Sequence, residues 1–322
     1  MYPLALQALA AASVADLFLD LDAAAPHTSQ RIRSWLESLF GPVALHKVFT
    51  QPGAFPLLLL PWWLEASVRE PDLSLQRELA TSSISGYLYI RLIDNLMDGD
   101  APADVGLLPA LSLLHTRFTD PFRKWFGHQH PFWEEFHSIW FETAEVTLRD
   151  STLDSIDRSQ FETISARKTG AANIPVAAIA HAIDRPDLLP DWYQLIDRFG
   201  CWHQMVNDLF GWHKDLRNGK TTFLLSEGRH ATSSAEPIEE WFSRSGFDWA
   251  IQQLDGWMEV LRVLGDRIGS HDLMLYLDTR HAQLHDQVAT VRSGLEALAD
   301  LGRVVDLGER RSRNPGEMRP IE

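Results

Sequence analysis

"WYQLIDRFGCWHQMVNDLFGWHKDL", residues 192–216, is apolar around most of its circumference and ends among acids. A stretch apolar on nearly every side reads as a central helix of a large bundle. Asn207, Asp208 and Asp215 lie in it beside large apolar side chains, with Gly211 between them. On a helix, Asn207, Gly211 and Asp215 fall at i, i+4 and i+8, a rise of about 12 Å. A cation shared by the two ends would sit near position 211, where a small residue leaves room. The same residues also read as an ordinary helix C-terminus, with Asn218-Gly219 as its cap and Lys214 and Arg217 set against the dipole.

A hundred residues upstream, "SISGYLYIRLIDNLMD", residues 83–98, has the same all-round apolar character. Asp94 and Asp98 are four apart, so they project from one helical face, and Arg91 precedes Asp94 by three. Exposed, such a pair of acids repels by a few tenths of a kcal/mol. Buried among Leu92, Ile93, Leu96 and Met97 it costs more, unless a cation sits between the carboxylates. Hard divalent ions such as Mg²⁺ use carboxylate oxygens in this way, together with water and substrate phosphate. The plainer reading is a solvated helix end with an Arg91–Asp94 pair and a turn at Gly99.

Between the two acidic stretches lies "FETISARKTGAANIPVAAIA", residues 161–180. Arg167 and Lys168 precede the small residues Gly170, Ala171 and Ala172. Small residues permit a helix break that turns backbone N–H groups toward an anion. Solvent-exposed cations at a helix end are the alternative.

Strand signals are scarce and helical spacing is common. In "SQRIRSWLESLF", Ile32, Trp35, Leu36, Leu39 and Phe40 form a one-sided stripe. Turn residues at Gly53–Pro56, Asp100–Pro102, Gly127–Pro131, Arg185-Pro186, Pro190 and Gly228–Pro237 divide the chain into about ten helices. The expected fold is all-α, one domain over residues 1–305, followed by a polar, loose tail over 306–322. A formal net charge of −15 excludes an electrostatic footprint for nucleic acid or an anionic membrane. One cysteine excludes an intramolecular disulfide and a cysteine-rich metal site. The apolar N-terminus has no basic residue before Arg31, so it reads as an amphipathic first helix rather than a leader. The run "GAFPLLLLPWWLEA" is too short to span a membrane. A cytoplasmic protein is expected.

Together these motifs resemble those of the class I isoprenoid synthase superfamily. "DNLMD" resembles its first aspartate-rich motif. "NDLFGWHKD" resembles the terpene cyclase pattern (N/D)-D-(L/I)-x-(S/T)-x-x-(K/R)-(D/E), agreeing at Asn207, Asp208, Leu209, Lys214 and Asp215 and departing at Gly211. "RKTG" resembles the Lys-Thr segment by which prenyl synthases hold diphosphate. Elongating enzymes of the superfamily would have an acid at 211 and squalene- or phytoene-type enzymes one at 212, where this chain has Gly and Trp. The cyclase pattern alone matches the acid at 215. An Arg-Arg pair after the first motif, used in chain elongation, is missing.

The resemblance implies a helical bundle around a central apolar cavity. It implies Mg²⁺, as a cluster of three ions with Mn²⁺ as a substitute, held by Asp94, Asp98, Asn207 and Asp215 as the catalytic set. Arg167, Lys168 and Lys214 would meet the diphosphate of a farnesyl or geranylgeranyl substrate, and a homodimer is implied. Tyr87, Phe210, Phe55 and Trp63 are candidates for the cavity wall, since aromatic faces steady a carbocation. A prenyltransferase of the same fold is the alternative, and a non-catalytic helical binding module is a third reading. His128 and His130 read as loop rather than a metal clamp, because structural zinc needs four ligands. Asp150, Asp154 and Asp157 read as a helix start or solvated face.

Overall fold

The computed structural model describes the backbone over residues 2–99, 102–232 and 236–313, and side chains there apart from Asp98, Ser165, Ala166 and residues 294–313. The described residues form helices and no strand. In chain order the α-helices are α1 (Leu4–Ala24), α2 (Pro26–Phe40), α3 (Leu45–Thr50), α4 (Leu59–Ala66), α5 (Leu73–Asp98), α6 (Leu108–Trp125) and α7 (Phe132–Asp150). They continue with α8 (Arg158–Thr163), α9 (Asn173–Ala182), α10 (Leu189–Arg217), α11 (Phe223–Ala231), α12 (Ile238–Trp241), α13 (Phe247–Ile268) and α14 (His271–Arg313). The all-α expectation holds. The helices of nine residues or more number ten, and α3, α4, α8 and α12 are short additions that sequence periodicity is too brief to reveal.

The chain divides into two compact units, Met1–Leu275 and Tyr276–Glu322. The sequence boundary drawn at residue 305 falls inside α14. All the candidate site residues belong to the first unit.

At the centre of that unit, α9 is buried from Asn173 to Ala180 and packs on α4, α7 and α10. A helix apolar all round is stable only when surrounded. Of the two helices singled out from sequence, α10 packs on it and α5 touches it. α5 starts at Asp72, whose carboxylate accepts the N–H groups of Ser74 and Leu75, and stops at Gly99 in the left-handed conformation (φ 66°). Capping by an acid at one end and glycine at the other fixes both termini. α10 opens with Pro190 and Asp191 in its first turn and closes with Lys214 and Arg217 in its last. Each suits the helix end where it lies. Pro190, read as a break, is instead part of the helix start.

α1 is long and apolar enough to cross a membrane by length and composition. Its apolar residues are placed for packing, however. Leu6, Ala10, Ser13, Leu17 and Leu21 form a buried stripe, and α1 packs on α5. Asp16 pairs with Arg77 at 2.6 Å, and Asp20 pairs with Arg117.

α5 and α6 approach closely because α5 is lined with small residues. Ser82 donates to the Phe118 carbonyl at 2.6 Å, and Ser82, Ser83 and Ser85 are buried. A Cβ on Gly86 would lie 2.8 Å from the Phe118 ring, which itself contacts Phe122, Phe136 and Trp140. A ring held on several sides cannot swing away, so overpacking forces the helices apart. Gly86→Ala is therefore expected to cost about 1–3 kcal/mol, despite the better helix propensity of alanine. Urea unfolding followed by circular dichroism measures it, and a stabilised variant would contradict the close approach.

Candidate functional site

The buried stripe of α10 runs through Trp192, Leu195, Ile196, Phe199, Trp202, Met205 and Leu209. Continued at helical spacing, that stripe takes in position 208 and leaves 207 outside. The structure shows this outcome: Asp208 is 3% exposed, and Asn207 is exposed. The residue type that drew attention to 207 lies one position from the buried carboxylate. Extending the apolar stripe would have identified Asp208 from sequence.

Asp208 accepts a hydrogen bond from Gln204 Nε2 at 2.8 Å, one turn back on α10. Burial pushes its carboxyl up to about 7; the Gln204 bond opposes the shift, Asp215 and Asp150 add to it, and Lys168 opposes it. Asp215 is half-buried, seven residues on, and burial raises its pKa against the pull of Lys220 and Lys214. Gly211 lies between the two acids. A Cβ built there would come 3.4 Å from Asp215 Oδ2, so the carboxylate reaches back over the glycine. Lys214 is exposed.

The segment Ser165–Ala172, preceding α9, is 3₁₀ rather than α-helical, in line with the break expected from its small residues. Arg167 donates through Nη1 to Glu142 on α7 and through Nη2 to Asp197 on α10, each at 2.7 Å. It braces three elements. Lys168 Nζ meets Asp150 Oδ2 at 2.8 Å, joining the segment to the last residue of α7. The helix start or solvated face expected at Asp150, Asp154 and Asp157 is thus split: Asp157 does start α8, capping it in a reciprocal box with Gln160, whereas Asp150 is largely buried beside Lys168. In sequence Asp150 reads as part of a helix start or solvated face, because its pairing depends on where α7 ends.

Asp94 lies near the C-terminus of α5 and pairs with Arg91 at 3.1 Å. Among the described residues no hydrogen bond or ion pair joins Asp94 to α10. Asp98 closes α5, and its side chain lies outside the described residues. Tyr87 is beside the Arg91–Asp94 pair, its pKa raised by burial and by Asp94 against Arg91, with its ring edge-on to Phe49 at 5.1 Å. Phe55 stands edge-on to Phe199 and His203 of α10, both at 5.5 Å. Trp63 is buried in α4. Phe210, by contrast, is 41% exposed. His128 and His130 are in the loop before α7, as expected, and His130 Nδ1 accepts the Phe132 N–H.

The candidate residues therefore fall in two places, the acidic end of α5 and the acidic part of α10 with the cationic 3₁₀ segment beside it. Their donors are hard carboxylate oxygens, one deeply buried and crowded by two other acids. Such a set takes up protons or a divalent cation. For Asp208 the folded pKa exceeds the unfolded one, so its contribution to stability is full below about pH 4 and is lost as pH rises through about 7. In EDTA, Asp208→Asn should raise stability at pH 8 by up to about 4 kcal/mol and change little at pH 4. Chemical denaturation at the two pH values reads the difference; equal effects at both would contradict it.

Neither a protein-family model nor a curated protein matches the chain. Among solved structures it resembles a geranylgeranyl pyrophosphate synthetase from the archaeon Geoglobus acetivorans, with a TM-score of 0.59 and 16% identity, over 83% of this chain and 96% of that one. At that identity the likeness concerns the all-α fold alone.

Proposed function

We propose that the chain is a Mg²⁺-dependent class I terpene cyclase, which ionises farnesyl or geranylgeranyl diphosphate and closes the resulting carbocation. The observation that carries this reading is Asp215 folded over Gly211 on the face of α10 that holds Asp208. An acid at 215 with none at 211 or 212 is the cyclase pattern rather than the elongating or squalene-type one.

The residues suit Mg²⁺. Asp208 is costly to ionise because it is buried, with Asp215 and Asp150 adding to the cost, and hard oxygen donors meet that cost by binding a hard cation. Asp94 and Asp98 would hold it from α5, and Asp208 and Asp215 from α10, with Asn207 at the exposed edge. The bound ions would neutralise charge on the departing diphosphate. The protein's own part is to hold the diphosphate near Lys168 and Lys214 and to keep the hydrocarbon among aromatic side chains. In ionisation the allylic C–O bond breaks and its electron pair leaves on the diphosphate oxygen. Ring closure draws on a π pair of the same substrate, and loss of a proton ends the sequence. Tyr87 and Phe55 would face such a cation, worth ~0.5–2 kcal/mol for a well-oriented ring. The exposed Phe210 is a weaker candidate.

Prenyl transfer to a second molecule is the other reading, and the fold shared with a geranylgeranyl pyrophosphate synthetase supports it. A cytoplasmic location and a homodimer belong to either reading. Incubation with each diphosphate separately, with Mg²⁺ or EDTA, and mass spectrometry of the extract distinguish them. A cyclic hydrocarbon or alcohol from one substrate, dependent on Mg²⁺ and lowered at least ~100-fold by Asp94→Ala and by Asp215→Ala, is expected. Product only after addition of isopentenyl diphosphate would establish the transferase instead.

A further inference from the structure

Arg167 and Lys168 are adjacent cations, but the structure gives them different commitments. Arg167 spends its planar fork on two carboxylates from two helices, Glu142 and Asp197. Releasing it would unfasten α7 and α10 together. Lys168 is a point charge on a flexible stem, and its partner is Asp150 alone among the described hydrogen bonds and ion pairs.

Asp150 is an odd place for a carboxylate. It is the last residue of α7, at the end of a helix whose dipole disfavours negative charge. Its side chain is 16% exposed, and its charge bears on the buried Asp208, making that group harder to ionise. Packing alone would be served as well by a neutral side chain of the same shape. Among the contacts described, the carboxylate supplies an anion for Lys168.

We infer that Asp150 is an internal stand-in for the diphosphate, occupying Lys168 until a phosphate oxygen displaces it. This rests on the reading of the site as a diphosphate site and adds a regulation of its affinity. Without ligand, the pair keeps Lys168 beside the acids of α10. With ligand, the lysine exchanges one oxygen anion for a more highly charged one. On departure of the diphosphate, Asp150 takes the lysine back and so competes with rebinding. Asp150 is thus a positioning residue whose removal should strengthen binding.

The test is calorimetric binding of inorganic pyrophosphate to the full chain, with Mg²⁺ and with EDTA. Asp150→Asn should tighten binding roughly fivefold or more, the scale of a partly exposed ion pair. Asp150→Glu should keep wild-type affinity. Lys168→Met should weaken binding, and the double variant should show none of the gain. Melting temperatures accompany each titration, and Asp150→Ser replaces the asparagine variant if the latter does not fold. Unchanged affinity in a well-folded Asp150→Asn would overturn the inference, leaving the pair as packing. Weaker binding seen only with Mg²⁺ would overturn it too, making Asp150 a cation ligand. If wild type binds no pyrophosphate with Mg²⁺, the diphosphate-site reading fails first; if wild type binds and the variant gains nothing, only the stand-in fails.

Discussion

A carboxylate at the end of an apolar helical stripe is the constraint around which this site is arranged. Asp208 continues the line of Trp202, Met205 and Leu209 into the core, where an ionised group is tolerated only with compensation. Its neighbours give partial compensation. Gln204 donates one hydrogen bond, and Lys168 contributes positive charge while Asp215 and Asp150 add negative charge. A protein selected for stability alone would place a leucine there. Acids on α7 and α10 nevertheless bear on one another here, through Asp150, Asp208 and Asp215.

The elements that carry this arrangement depend on packing that is otherwise ordinary. α9 is a core helix surrounded by others, and α10 is long enough to present an apolar half and a polar half. α8 is tied down by Glu162, which accepts from Arg158, Arg198 and the Trp257 indole, so the chain entering the 3₁₀ segment is fixed before Arg167 and Lys168 are reached. Cys201 takes no part in this: it is buried in α10, and burial first, then Glu162, pushes its thiol up to about 12.

Much of the fold was legible because long helices write their periodicity plainly. Ile32, Trp35 and Leu36 are buried as their spacing demands, and the Gly127–Pro131 and Gly53–Pro56 turns fall between helices. Short elements such as α3 and α8 span too few turns to show a period. At the site, motif spacing led to Asp94 and Asp215, but matching a pattern directed attention to Asn207, whereas helical geometry buries Asp208. Arg167 and Lys168 were legible as cations and not as ion pairs, since their partners Glu142, Asp197 and Asp150 come from distant sequence. Composition cannot say which charge meets which.

The 3₁₀ geometry of Ser165–Ala172 has one further consequence. Successive side chains on such a helix diverge by about 120°, so neighbours in sequence serve different surroundings. That is why Arg167 can reach α7 and α10 while Lys168, the very next residue, meets a different carboxylate. Deleting a single residue upstream would turn Lys168 into the direction Arg167 now takes, and Arg167 into a third direction. Lineages of this fold are therefore expected to keep the length of this segment more strictly than its composition, because its register divides scaffold from chemistry.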